Sequence, residues 1–176
     1  FPESSLFQMA QYALTVATGK IQKIGESTGI LGEPFVGGQP SNVPYFSQCD
    51  SQWRNNRLGT CSRTICSAGC AMSSVAMILK YYGADVNPAK LNSWLTSHGG
   101  YASGCLIYWG TAANYHQGVS FVTSTGADWN RLRAELNAGY PVIVNVKNGG
   151  HWVVVTNYNG STYYINDPGY SGRPTL

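Results

Sequence analysis

The chain has 176 residues, enough for one domain, or one domain with an arm, and for a real buried core. Charged residues make up only 11% against 21 glycines and 12% aromatics, which argues against disorder and fits a loop-rich protein of the extracellular kind. The formal charge of +3 has no Lys/Arg cluster behind it, so nucleic acid is not an expected partner, and no apolar run approaches the roughly 18–20 residues of a membrane span.

Residues 1–40 differ in character from the rest of the chain. In "SSLFQMAQYALTVATG", Leu6, Met9, Ala10, Ala13, Val16 and Ala17 stand near helical spacing, which predicts one helix ending at Gly19. "GESTGILGEPFVGGQPS" then reads as linker. The expected division is an N-terminal helix and linker at 1–40 and a compact domain at 41–176. The arm is read as a helix packed on the back of the domain, with a propeptide remnant covering a site as the alternative. The opening residue, Phe1, suits a processed or trimmed product.

Further along, "SAGCAMSSVAMILKYYG" predicts a helix with a stripe of Ala71, Val75, Ile78 and Leu79 and Gly83 as C-terminal cap. "NPAKLNSWLTSHGG" predicts another, with Asn87 as N-cap, Pro88 at its first position and Gly99 closing it. "GCLIYWGTAANYHQG" suggests a third and "ADWNRLRAELNAG", capped by Asp128, a fourth. The period then turns strand-like in "VSFVT", "PVIVNV", "HWVVVTNY" and "STYYIND". The last two are joined by a tight hairpin at Asn159-Gly160, a better explanation of that dipeptide than a glycosylation sequon. Helices followed by an antiparallel sheet make an α+β fold.

Five cysteines favour an oxidising, secreted setting and leave at least one thiol unpaired. Cys70 follows Gly69 at the expected start of the long helix, where free N–H groups and the helix dipole favour a thiolate. Gly69 would keep a substrate's approach open. His151 begins one strand of the hairpin and Asp167 ends the other, 16 residues on. Across a turn at Asn159-Gly160 they lie nearly opposite, and a strand spacing of about 4.7–5.5 Å brings carboxylate and imidazole within reach. A nucleophile at a helix start, a base on a strand and a carboxylate to orient it make a catalytic triad.

"VPYFSQCDSQW", "SAGCAMSSVAMILKYYG", "GYPVIVNVKNGGHWVVVTNY" and "YYINDPG" together resemble the C39-like cysteine peptidases of the papain-like superfamily, over about Val43 to Gly169. The resemblance implies a papain-like fold, with N-terminal helices carrying the cysteine packed on a C-terminal sheet carrying histidine and aspartate. It implies Cys70 as nucleophile, His151 as general base and acid, Asp167 as orienting residue and Gln48 as side-chain donor to the oxyanion. In bacteriocin-processing members the glutamine lies about six residues before the cysteine, where this chain has Thr64. Gln48 is therefore assigned on the broader pattern, with Gln52 as fallback.

With Cys70 so assigned, Cys49, Cys61, Cys66 and Cys105 remain for two disulfides. The loop "DSQWRNNRLGT" between Cys49 and Cys61 suits local closure, so Cys49–Cys61 and Cys66–Cys105 are the expected pairs. A zinc site of Cys61, Cys66 and Cys70 is the rival, but no CxxC pair supports it. His98 and His116 read as surface or loop residues. Trp53, Trp94 and Trp129 read as core, whereas Trp109 and Trp152 could line a cleft. The expected function is hydrolysis of peptide bonds through a thioester acyl-enzyme, by a monomer acting on a peptide or protein substrate without metal or organic cofactor. The alternatives are the same chemistry on another amide, such as peptidoglycan or a transfer reaction, and a non-catalytic binding module.

Overall fold

The computed structural model describes residues 13–16, 38–123 and 128–176. In chain order these form β1 (Ala13–Val16), α1 (Ile65–Ala68), α2 (Cys70–Tyr81), α3 (Pro88–Ser97), a 3₁₀ turn (Ser103–Cys105), α4 (Trp109–Ala113), β2 (Phe121–Thr123), α5 (Trp129–Asn137), β3 (Val142–Val146), β4 (His151–Asn159) and β5 (Thr162–Asn166). The fold is α+β. Strands β3, β4 and β5 form an antiparallel sheet, which β1 and β2 extend in the order β2-β1-β3-β4-β5.

The N-terminal segment departs from its helical reading. Ala13–Val16 is a strand, antiparallel to β2 and, at Thr15, to Val142 of β3. The remainder of that expected helix, and the linker as far as residue 37, lie outside the described residues. The physical reason is the edge of β3, whose backbone groups need partners that helical periodicity in the arm cannot anticipate. The expected third helix also breaks up. Ala102 N–H donates to Leu106 O at 2.7 Å and Tyr101 bridges Ile107, so the backbone there is committed to an extended turn and only Trp109–Ala113 is left as helix.

Side chains alternate across the sheet as a strand period of two requires. Ile143 and Val154 pack with α2, α3 and α4 around Val75, Met77, Ile78, Leu79, Leu91 and Leu95. Val142, Val144, Val146, Val153 and Val155 pack on the other face, against Leu132 and Leu136 of α5. The sheet is thus covered by helices on both sides, which explains why β3 reads as an unbroken apolar run apart from Asn145. Side-chain caps appear where the sequence puts them: Asn87 accepts from Lys90 N–H and Asp128 from Arg131 N–H, each at 2.9 Å.

The hairpin turn is shifted by one residue from the expected one. Asn159 pairs with Thr162, so Gly160 and Ser161 are its central residues, and Gly160 takes φ +59°. A positive φ at the first central position is the conformation glycine tolerates best. A bulge at Thr156 then changes the register. Beyond it Tyr158 faces Tyr163, and before it Val155 faces Ile165, yet all four side chains join the same apolar cluster.

Candidate active site

α1 and α2 are two helices where one was expected. Gly69 separates them, and a Cβ there would lie 2.5 Å from Ile65 O and 2.9 Å from Ile65 Cγ2. The glycine is therefore needed by the close return of the chain onto α1. Gly69 gives α2 no side-chain cap. The N–H groups of the first turn, Cys70 among them, accordingly keep the unpaired donors that any helix start carries. Cys70 is half-exposed and is the free thiol among the five cysteines.

His151 opens β4 and is buried, at 7% exposure. Its Nε2 lies 2.6 Å from Asp167 Oδ1. Cys70 acts electrostatically on the same ring, and with Nε2 occupied by Asp167, Nδ1 is the ring nitrogen left for a second partner. Burial by itself would push the imidazole pKa down. The Asp167 hydrogen bond and charge, with a further contribution from Cys70, outweigh it and raise His151 from 6.5 to about 9.

Asp167 stands just past the end of β5 and is 2% exposed. Continuing the β5 register by one residue sets it beside Val153, two residues from His151 and on the same face. Without the bulge at Thr156 it would fall on the opposite face, because a one-residue slip inverts every side chain. The two residues are therefore diagonal rather than directly opposite. Oδ1 also accepts from Gly169 N–H at 2.9 Å and Tyr170 N–H at 3.2 Å, so local backbone fixes the carboxylate before it meets the ring.

Gln48 is buried and tied at both ends. Its backbone N–H donates to Pro168 O at 2.8 Å, next to Asp167, and its Nε2 donates to Cys66 O at 2.5 Å. Each amide nitrogen carries two hydrogens, so one remains for another acceptor. Gln52, the fallback, lies exposed in the loop, with its N–H on Asp50 Oδ1.

The disulfides correct the expected pairing. Cys49 joins Cys66 and Cys61 joins Cys105. The segment after Cys49 does not close on itself but pairs with the approach to α1. Ile65 N–H donates to Asn56 O, Leu58 N–H to Arg63 O, and Arg57 bridges Thr64. This sends Cys61 to the tip of a turn and brings Cys66 back beside Cys49. Tyr101 seats against Gly59, and Cys105 meets Cys61 there. The Cys49–Cys66 bond thus fastens the residue after Gln48 to a position four residues before Cys70.

Trp109 and Trp152 meet edge-on, ring centroids 4.9 Å apart, and both are half-buried; Trp152 follows His151 in the chain. His98 is exposed and stacks on Trp94, and the backbone of His116 closes the turn after α4. Trp53 is core, with its indole N–H on Ser47 O at 2.8 Å.

Four contributors escape a reading by sequence. Ser74, one turn after Cys70, donates to Trp152 O at 3.4 Å and links α2 to β4. Gly169 lies under the His151–Asp167 pair, where a Cβ would come 3.0 Å from His151 Cε1. Tyr170 sets its ring 5.6 Å from the imidazole, nearly perpendicular to it. Lys147 holds its Nζ 3.9 Å from the centre of the Tyr170 ring. The "DPG" turn hinted at Gly169, but nothing local marked the others.

Comparison with known proteins agrees in extent with this compact region. A family model described as Peptidase_C39 like family matches residues 40–175, which is 136 of the 176 residues. No curated protein and no solved structure matches the chain.

Proposed function

Because the chain belongs to the Peptidase_C39-like family, we propose that it is a cysteine peptidase of papain-like fold that hydrolyses peptide bonds through Cys70, His151 and Asp167. The observation that carries this reading is the buried His151–Asp167 hydrogen bond at 2.6 Å, with Cys70 acting on the same imidazole and the ring raised to about 9. At neutral pH that ring is the imidazolium, and in the proposed mechanism it is the proton partner of Cys70.

The thiolate attacks the carbonyl carbon, and the oxyanion forms where the Cys70 N–H and the free Gln48 N–H can both donate. His151 gives its proton to the leaving amine, the C–N bond breaks and a thioester remains. The neutral imidazole then takes a proton from water, whose oxygen attacks the thioester to release the carboxylic acid and the thiolate. Asp167 holds the ring and its charge throughout. Two disulfides among the described residues are compatible with an extracellular protein, and secretion is part of the proposal. The direct test is mass-spectrometric detection of products from a panel of peptides and cell-wall fragments. Cleavage confined to cell-wall amides would reassign the substrate, and absence of any turnover would leave a binding module.

Gln48→Ala should lower kcat by about 10²–10³, the usual loss for one oxyanion donor. Alkylation of Cys70 by iodoacetamide should hardly change, since alkylation builds no oxyanion. Gln52→Ala should leave both alone. If Gln52→Ala slowed turnover and Gln48→Ala did not, the oxyanion donor would be the wrong glutamine.

The pH profile depends on His151. The active pair needs the imidazolium, so kcat/KM should fall as pH rises through about 9. Asp167→Asn keeps an oxygen to accept from Nε2, Gly169 and Tyr170 but removes the charge, so activity should persist in part while the alkaline limb moves to lower pH. Stability has the same sign. The folded pKa is raised above 6.5, so the contribution is whole below about 6.5 and lost as pH rises through about 9. An alkaline limb unmoved by Asp167→Asn would detach that limb from His151.

A further inference from the structure

The side of His151 turned towards Tyr170 carries a concentration of positive charge that the reaction itself does not use. Lys147 Nζ lies 3.9 Å and Arg173 Cζ 5.1 Å from the centre of the Tyr170 ring, whose own centre is 5.6 Å from that of His151. Both cations come from tight turns. Lys147 and Asn148 have φ of +56° and +52° in the turn between β3 and β4, immediately before His151. Arg173 N–H donates to Tyr170 O at 3.1 Å in the turn after Asp167. Left-handed backbone at two successive residues with side chains is costly, and such strain persists where the surroundings hold it in place.

Among the described residues no carboxylate neutralises this pair. The ion pairs there are Lys90–Asp85, Arg131–Glu135 and His151–Asp167. Asp167 is buried, and its Oδ1 is taken by His151 and two backbone N–H groups. Two like charges are gathered around one half-open ring, and cation–π attraction at an exposed site offsets only a little of their repulsion. An anion within reach of both would relieve the repulsion and gain charge-assisted hydrogen bonds.

The location decides which part of a substrate would meet this charge. His151 must protonate the leaving amine, so that amine departs on the imidazole side of Cys70. Tyr170 and its two cations stand next to that imidazole. We propose that Lys147 and Arg173, gathered over Tyr170 beside His151, recognise a carboxylate carried by the leaving-group side of the scissile amide. This rests on the peptidase reading above. The carboxylate could be an acidic side chain or a free chain end, and both offer the same planar pair of oxygens to Lys147 and to the fork of Arg173.

The test uses matched peptides that differ only past the scissile bond: Glu against Gln in the first two positions, and a free C-terminal acid against its amide at the third. The kcat/KM ratio of acid to neutral partner should be about tenfold in the wild type and should shrink in 0.5 M salt. In the double variant Lys147→Met, Arg173→Gln that ratio should fall to near one. Whichever series carries the ratio identifies the source of the carboxylate. Equal turnover of acid and neutral partners by the wild type would overturn the inference while leaving the peptidase reading intact. Binding of the same peptides to the Cys70→Ala protein is measured alongside by calorimetry. If the wild type cleaves nothing but Cys70→Ala protein still prefers the acids, the peptidase reading fails and the recognition site stands. If neither turnover nor binding discriminates, the site is wrong.

Discussion

Cys70→Ala should abolish hydrolysis, by roughly 10⁴–10⁶ in kcat, the scale seen when a catalytic nucleophile is removed. The thiol is half-exposed at the first residue of α2 and is the free one of five. Its removal empties no apolar space, so circular dichroism and the thermal midpoint should be close to wild type. Labelling separates a catalytic thiol from a merely unpaired one. Iodoacetamide on the native protein should modify Cys70 alone, and non-reducing peptide maps should recover Cys49 with Cys66 and Cys61 with Cys105. Full activity in the alanine variant would remove the nucleophile from the proposal. Rapid labelling that persists in His151→Ala would mean the imidazole does not activate it.

His151→Ala should be nearly as damaging. The ring is hydrogen-bonded to Asp167 and is the proposed proton partner of Cys70, so without it the thiol loses that partner and the leaving amine its acid. Because the two residues act as a unit, Cys70→Ala combined with His151→Ala should be little worse than either alone. Additive losses would show two independent contributions instead of one pair. The substitution also strips Asp167 of a charged partner at a site only 2% exposed. A stability loss of about 1–3 kcal/mol is expected, softened because Gly169 and Tyr170 N–H still donate to the carboxylate. His151→Gln, which retains most of the volume, should be equally inactive but more stable. Comparing the two separates catalytic loss from unfolding.

What the positions of Cys70, His151 and Asp167 owe to local chemistry was open to a reading of the chain alone. A glycine before an apolar helical run marks a helix start. Two β-rich runs joined at Gly160 mark a hairpin, and residues at its open ends must be neighbours. Periodicity likewise identifies α2, α3, α5 and the strands β3, β4 and β5, because each buries a face set by its own repeat. These features depend on residues a few places apart, and such interactions are written directly in the sequence.

The rest depended on contacts between distant segments. The disulfide partners came from how the loop after Cys49 pairs with the approach to α1, and loop length carries no information about that. The strand at Ala13–Val16 exists because β3 has an edge to cover, while its own residues would also suit a helix. The bulge at Thr156 decides which face Asp167 occupies, and one inserted residue leaves no mark in an alternating apolar pattern. Gln48 is located by Cys66 and by Pro168, the second of them near the far end of the chain. Lys147 and Arg173 meet at Tyr170, and Tyr170 meets His151, only because two turns close against each other. Local propensity sets which elements form. Their register and the convergence of loops are set by packing free energy summed over the whole fold, which no short window of sequence contains.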